Sequence, residues 1–168
     1  MRNFVLVALS LLLSGSAALA QTKVDTMWHC SKAVTEHKLD VGDVPDHSYW
    51  IGQGTCDATA STGDLKEKSG TFTEFHDAWK ASFHFHGYFI ATLDNSDKAS
   101  YTYEGSASTD ITKPVSNKWK IESGTGKHKG IKGSGTCSGK ASAAGDSYDW
   151  KCTGTYSTGM AKMDKMSK

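Results

Sequence analysis

Leucine is almost absent from this chain after residue 20, where it occurs only as Leu39, Leu65 and Leu93. Threonine, serine, glycine and the aromatic residues are common instead, and together they favour strands and turns over helices. The same part of the chain lacks an apolar run long enough to cross a bilayer. The composition therefore predicts an all-β protein with no membrane-spanning segment.

The sequence also lacks an excess of charge and the motifs of common enzymes. It has 19 Lys and Arg against 18 Asp and Glu, which is not the basic balance of a nucleic-acid-binding protein. There is no Gly-x-Ser-x-Gly elbow and no His-Glu-x-x-His motif, and Ala141 stands where a phosphate-binding loop needs Ser or Thr. These absences argue against a nucleic-acid partner and leave no recognisable catalytic motif.

The first 20 residues have the pattern of a secretory signal peptide. Arg2 precedes the apolar stretch FVLVALSLLL, and Ala18 and Ala20 place small residues around a cleavage point. We expect cleavage near Ala20 and a secreted or periplasmic protein.

Four cysteines remain after the leader: Cys30, Cys56, Cys137 and Cys152. In an exported protein they are expected to form disulfides, and none has the Cys-x-x-Cys spacing of a redox or zinc site. Cys137 and Cys152 lie symmetrically about AAGD, so a hairpin turn there would place their sulfurs opposite each other. The expected disulfides are therefore Cys137 to Cys152 and Cys30 to Cys56.

Polar breaks divide the rest of the chain into eight candidate strands. Their spacing suits an antiparallel meander that is closed into a barrel or folded into a sandwich. Residues 21–157 are then one domain, and residues 158–168, in which Met alternates with Lys, are a flexible polar tail. The strands are predicted at residues 24–34, 46–58, 70–77, 79–93, 99–109, 117–122, 130–140 and 147–157.

Two histidines, His84 and His86, lie two apart in the apolar run WKASFHFHGYF. In a strand such residues share one face. Counted as one continuous strand, the odd positions from Phe75 through Trp79 to Phe89 are mostly apolar and are expected to face the core. The even positions, among them Glu74, His76, Lys80, Ser82, His84, His86 and Tyr88, are then expected to face solvent or a polar cavity.

This face has two interpretations. Glu74, His76, His84 and His86 form a zinc or copper site if residues 70–77 and 79–93 bring them together, since imidazole suits both metals. The commoner alternative, which we favour, is that His84 and His86 are solvent-facing residues of an amphipathic strand. The five tryptophans, one on each of five strands, likewise have core packing as their commoner role and lining of a ligand pocket as the alternative. They are Trp28, Trp50, Trp79, Trp119 and Trp150.

The segment ESGTGKHKGIKGSGTCSGK, residues 122–140, resembles the glycine-rich segment of the allene oxide cyclase and dirigent-like eight-stranded barrels. The matching residues are Gly124, Thr125, Gly126, Gly130 and Gly133, and YTYEGSAST precedes them in the order found in that superfamily. The resemblance implies a single antiparallel eight-stranded β-barrel with an apolar pocket. It also implies that such a pocket can hold a reactive lipid or phenolic intermediate while it cyclises or couples. No catalytic residue of those families aligns with a specific position here.

These observations lead to one principal functional hypothesis and two alternatives. The principal one is noncatalytic binding of a small apolar or aromatic molecule in the barrel, with no cofactor. The first alternative is a cyclase or isomerase that acts mainly by confinement, which a buried carboxylate or tyrosine facing the cavity would favour. The second is a periplasmic protein that binds zinc or copper through the histidine-rich strand.

Overall fold

The computed structural model describes residues 21–63 and 65–158, and this part of the chain forms nine antiparallel strands. The predicted signal peptide, and all of the predicted tail except Thr158, lie outside the described residues. Within residues 21–63 and 65–158, no helix has the length and apolarity needed to span a bilayer. The strands are β1 (Thr22–Ser31), β2 (Thr35–Asp40), β3 (Ser48–Ser61), β4 (Glu67–Trp79), β5 (Ser82–Leu93), β6 (Lys98–Ser108), β7 (Val115–Gly124), β8 (Lys132–Ala141) and β9 (Ser147–Ser157).

Eight of these strands close into an antiparallel barrel, which confirms the predicted fold. Each strand from β3 to β8 pairs with the one that follows it in the chain, and β1 completes the ring by pairing with β9 on one side and β3 on the other. The ninth strand, β2, pairs with the first half of β3, beyond the part that pairs with β1. Strand β2 is not among the strands predicted from the sequence. All of its residues are exposed, so no alternation of buried and exposed residues marks it.

Two disulfides staple the barrel, and both predicted pairings are confirmed. Cys30 and Cys56 are direct partners across β1 and β3, and Cys137 and Cys152 are direct partners across β8 and β9. The turn between β8 and β9 contains Gly145 at a positive φ of 71°, which glycine adopts without the strain that a side chain would impose. The symmetric spacing about this turn is what brings Cys137 and Cys152 together.

The predicted faces of the central hairpin need a correction. Residues 79–93 do not continue the preceding strand, because Lys80 and Ala81 form a tight turn between Trp79 and its partner Ser82. In the resulting register, even-numbered residues of β4 lie on the same side as odd-numbered residues of β5. Phe75 and Trp79, which were expected in the core, are therefore 40% and 42% exposed.

Large rings on the inner face of the barrel lie over glycines. A Cβ atom built on Gly105 would lie 2.5 Å from the ring of Phe85, and one built on Gly70 would lie 2.1 Å from the ring of Phe89. Because no side chain stands beneath them, these rings lie close to the barrel wall and leave its centre open. The same relation holds for Trp50 over Gly52, Phe72 over Gly54, Tyr103 over Gly87, Trp119 over Gly135 and Gly154, and Trp150 over Gly139.

One end of the barrel is filled by apolar side chains. Leu65, Leu93 and Ile131 are at most 2% exposed and belong to one hydrophobic cluster. Ile131 follows a short 3-10 helix, Gly126–His128, within the glycine-rich segment. This segment therefore contributes to the packed end of the barrel, and we refer to this end as the closed end.

Candidate functional site: the barrel cavity

A cavity of about 310 Å³ lies inside the barrel. Four of the five tryptophans line it, namely Trp28, Trp50, Trp119 and Trp150, together with phenylalanine and tyrosine rings from β4, β5 and β6. Its rim is formed by exposed residues of both charges, Lys32, Glu36, Asp110 and Lys113. A cavity with this lining suits a ligand that is mainly apolar or aromatic.

The first polar group of the cavity is Glu67, which is only 6% exposed. The hydroxyl of Tyr101 donates a hydrogen bond of 2.6 Å to one carboxyl oxygen, and the hydroxyl of Thr26 donates one of 2.7 Å to the other. Burial raises the pKa of Glu67, and these two hydrogen bonds oppose that shift without cancelling it. Burial and the neighbouring Glu67 also raise the pKa of Tyr101 well above its usual value, so its hydroxyl keeps its proton.

The second polar group is formed by Glu74, His76 and Tyr103. His76 Nε2 lies 2.5 Å from Glu74 Oε1, and both side chains are largely buried on the inner face of β4. The hydroxyl of Tyr103 also donates a hydrogen bond to Glu74, and burial together with the charge of Glu74 raises the pKa of Tyr103. Tyr103 reaches Glu74 by crossing Gly87, where a Cβ atom would lie 2.7 Å from the tyrosine oxygen.

The histidine of this group lies among aromatic rings. Its ring stacks on Phe83, with 4.6 Å between centroids and 14° between planes, and it lies 4.3 Å from the ring of Trp50. Because β4 positions Glu74 and His76 two residues apart on the inner face, the carboxyl and the imidazole form one unit. This unit can accept or deliver a proton at a molecule held against the tyrosine.

The structure divides the four residues of the predicted metal site between two faces. Glu74 and His76 line the cavity, whereas His84 and His86 are exposed on the outside of β5. The tight turn before β5 causes this separation, since it reverses which residue numbers face inward. Within residues 21–63 and 65–158, no group of three or more His, Cys, Asp and Glu residues is placed to hold a metal ion.

The two outward histidines have partners on the outer surface. His84 Nδ1 lies 2.8 Å from the Ser106 hydroxyl, and His86 stacks on Phe75 with 5.3 Å between the ring centroids. These contacts are those of solvent-facing residues on an amphipathic strand.

Sequence reasoning missed Glu67, Tyr101 and Tyr103 as residues of the site. Glu67 lies between the predicted strands 46–58 and 70–77, in a segment expected to be a polar break, and only the three-dimensional structure shows it to be buried at the start of β4. Tyr101 and Tyr103 share a face of β6, and their spacing in YTYEG was the available signal for an inward pair of hydroxyls.

A separate group of ionisable residues lies outside the cavity. His47 is 7% exposed, and its ring stacks on that of Trp79 with 3.7 Å between the centroids. Its Nδ1 lies 2.7 Å from Asp43 Oδ1, and its Nε2 lies 2.9 Å from Asp77 Oδ1. Burial alone would lower the pKa of His47, but the hydrogen bonds and charges of the two aspartates outweigh burial and raise it. Both ring nitrogens donate when the imidazole is protonated, so the charged form ties the loop before β3 to β4.

A protein of known structure has a similar fold. No family model matches the chain, and no curated protein matches its sequence. The solved structure of a pterocarpan synthase dirigent protein is similar over 92% of this chain and 98% of that one, with a TM-score of 0.51 and 12% sequence identity. At this identity the similarity shows the fold alone. It confirms the dirigent-like barrel that the glycine-rich segment implied, without singling out allene oxide cyclase.

Proposed function

We propose that the protein is an exported barrel that binds a small apolar or aromatic molecule in its cavity. The observation that carries this proposal is the cavity of about 310 Å³, with aromatic walls and two convergent polar groups around Glu67 and Glu74. Small-molecule sites have this composition, in which apolar walls supply affinity and a few polar groups fix the orientation. The signal-like leader and the two disulfides support export.

Unpartnered atoms of the cavity wall support a ligand that carries polar groups. Among the residues that the structure describes, the buried atoms Asn117 Oδ1 and Trp119 Nε1 have no hydrogen-bond partner, and both residues line the cavity. Buried polar groups are normally paired. A ligand with one acceptor and one donor would supply the missing partners after small side-chain rotations.

A second function, confinement with proton transfer, is favoured by Glu74, His76 and Tyr103. Tyr103 keeps its proton, so its hydroxyl can turn from Glu74 and donate its one hydrogen bond to an oxygen of a bound molecule. The carboxyl of Glu74 and the imidazole of His76 can then exchange a proton with that molecule. Such an arrangement suits a cyclase or isomerase. Binding comes first in both functions, so the test of binding is also the first test of catalysis.

The test uses titration calorimetry with naphthalene and 2-naphthol, supported by the fluorescence of the tryptophans in the cavity wall. Ala107 lines the cavity near its rim, and its neighbour Ser106 is exposed on the outer face, so the two positions form a matched pair. Ala107→Phe places a ring inside the barrel and is expected to weaken binding by about tenfold or more. Ser106→Phe places the same ring outside and is expected to leave binding unchanged.

Two results would contradict the proposal. One is that neither compound binds to the disulfide-intact protein. The other is that Ala107→Phe and Ser106→Phe weaken binding equally, which would place the bound molecule on the outer surface.

A further inference from the structure

The acid near the closed end of the cavity has no counter-charge. Glu67 is 6% exposed, and its two hydrogen bonds come from the uncharged hydroxyls of Thr26 and Tyr101. None of the ion pairs formed by residues 21–63 and 65–158 includes it. A buried carboxylate is normally matched by a cation or a metal, and without such a partner burial raises its pKa, as it does for Glu67. A cation placed beside Glu67 would stabilise the ionised form of its carboxyl group.

No basic side chain of the cavity wall is placed to supply that charge. Lys32 and Lys113 line the rim and are exposed, and two acidic residues, Glu36 and Asp110, line the rim with them. His76 already pairs with another carboxylate, that of Glu74. The interior of the cavity therefore favours a positive charge near Glu67.

The aromatic rings beside Glu67 suit the same kind of charge. A continuous chain of ring contacts begins at Tyr101, which binds Glu67, and all of its members line the cavity. Tyr101 lies 5.7 Å from Trp119 and 6.1 Å from Phe89, and Phe89 lies 4.8 Å from Trp28, between ring centroids. Rings of this kind attract organic cations through their negative faces, most strongly where water is excluded.

We propose that the cavity binds an organic cation, with the charged nitrogen against Glu67 and the Tyr101, Trp119 and Phe89 rings. The ligand class is an apolar or aromatic amine, or a quaternary ammonium compound. This inference rests on the proposed binding function and names the chemistry of its ligand. The nitrogen supplies the charge that Glu67 lacks, and the apolar body of the ligand fills the aromatic part of the cavity.

The experiment compares two probes of nearly the same shape, phenyltrimethylammonium and its neutral isostere tert-butylbenzene. Neither probe titrates, so protonation of the ligand does not complicate the comparison. Binding of both to the disulfide-intact protein is measured by calorimetry and by tryptophan fluorescence. The cation is expected to bind about tenfold more tightly or better, because charge and ring contacts act together in a site shielded from water.

Two variants locate the effect. Glu67→Gln keeps the size of the side chain and removes its charge. It is expected to lower the preference for the cation to the part that the rings alone provide, while tert-butylbenzene still binds. Glu104→Gln makes the same change on the exposed outer face of β6 and is expected to keep the preference. A circular dichroism melt checks that each variant is folded.

Each outcome has one meaning. A preference for the cation that Glu67→Gln lowers and Glu104→Gln keeps supports the proposal. Equal binding of the two probes to the unmodified protein overturns it and leaves the proposed binding function intact, and this comparison decides the matter even where Glu67→Gln does not fold. A preference that is undiminished in folded Glu67→Gln also overturns it. Failure of both probes to bind overturns the cation proposal and the binding function together.

Discussion

A single methyl group added at Gly87 is expected to disturb the cavity and destabilise the barrel. The Cβ atom of Gly87→Ala would lie 2.4 Å from the carbonyl oxygen of Thr73 and 2.7 Å from the hydroxyl oxygen of Tyr103. The carbonyl belongs to the β4 backbone and can shift little, whereas the tyrosine can move by breaking its hydrogen bond to Glu74. Overpacking of this kind costs about 1–3 kcal/mol, and a lost hydrogen bond to a charged group about 1.5–3 kcal/mol.

The free energy of unfolding of Gly87→Ala is therefore expected to fall by about 3–5 kcal/mol. Urea unfolding, followed by tryptophan fluorescence and circular dichroism, measures this change. Tyr103→Phe removes only the hydroxyl and is expected to cost about 1–3 kcal/mol. Both changes break the hydrogen bond between Tyr103 and Glu74. The loss of stability in the double variant is therefore expected to be smaller than the sum of the two single losses, by about 1 kcal/mol or more.

Two results would refute this reasoning. A cost below about 1 kcal/mol for Gly87→Ala would show that the strand pair absorbs the methyl group without displacing the tyrosine. Costs that add to within about 0.5 kcal/mol in the double variant would show that Gly87 and Tyr103 act independently.

Two further predictions concern histidines outside the cavity. The raised pKa of His47 means that its contribution to stability is complete below the unfolded pKa of about 6.5 and is lost as the pH rises through the folded value. Chemical unfolding between pH 5 and 9 should show that the difference in free energy of unfolding between the unmodified protein and His47→Gln shrinks as the pH rises. A difference that stays constant would contradict a stabilising interaction of protonated His47 with Asp43 and Asp77. The double substitution of His84 and His86 by Asn should change the free energy of unfolding by no more than about 0.5 kcal/mol, since both are exposed. A larger loss in the same assay would mean that the outer face is covered.

The strands and disulfides could be predicted because each rests on a local pattern. Alternating apolar and polar residues mark the strands of the barrel, and the symmetry of Cys137 and Cys152 about a turn predicts their pairing. Strand β2 could not be predicted in this way, since a fully exposed strand buries no face. It forms because the first half of β3 extends beyond its partner β1 and offers hydrogen-bonding groups there.

The candidate site was only half predictable, for two physical reasons. The turn at Lys80 and Ala81 has no glycine or asparagine to mark it, so the faces of β4 and β5 were counted as those of one continuous strand. Glu74 and His76 were therefore assigned to the same face as His84 and His86, which was expected to meet solvent or a polar cavity. Glu67 is charged, and a charged residue in a polar segment is normally exposed. Its burial follows from the closure of the barrel around it, which involves partners as distant in sequence as Thr26 and Tyr101.

The pairing of the first strand with the last has a consequence for when the protein can fold. Thr22 of β1 lies opposite Tyr156 of β9, so the ring is completed by contacts between residues at opposite ends of the domain. Contacts of such long range are slow to form, because the whole intervening chain must be ordered first. A chain that is still being synthesised therefore has no closed cavity until its final strand is available. The same order of events predicts that a chain cut before β9 leaves β1 and β8 as exposed edges, prone to pair with other chains.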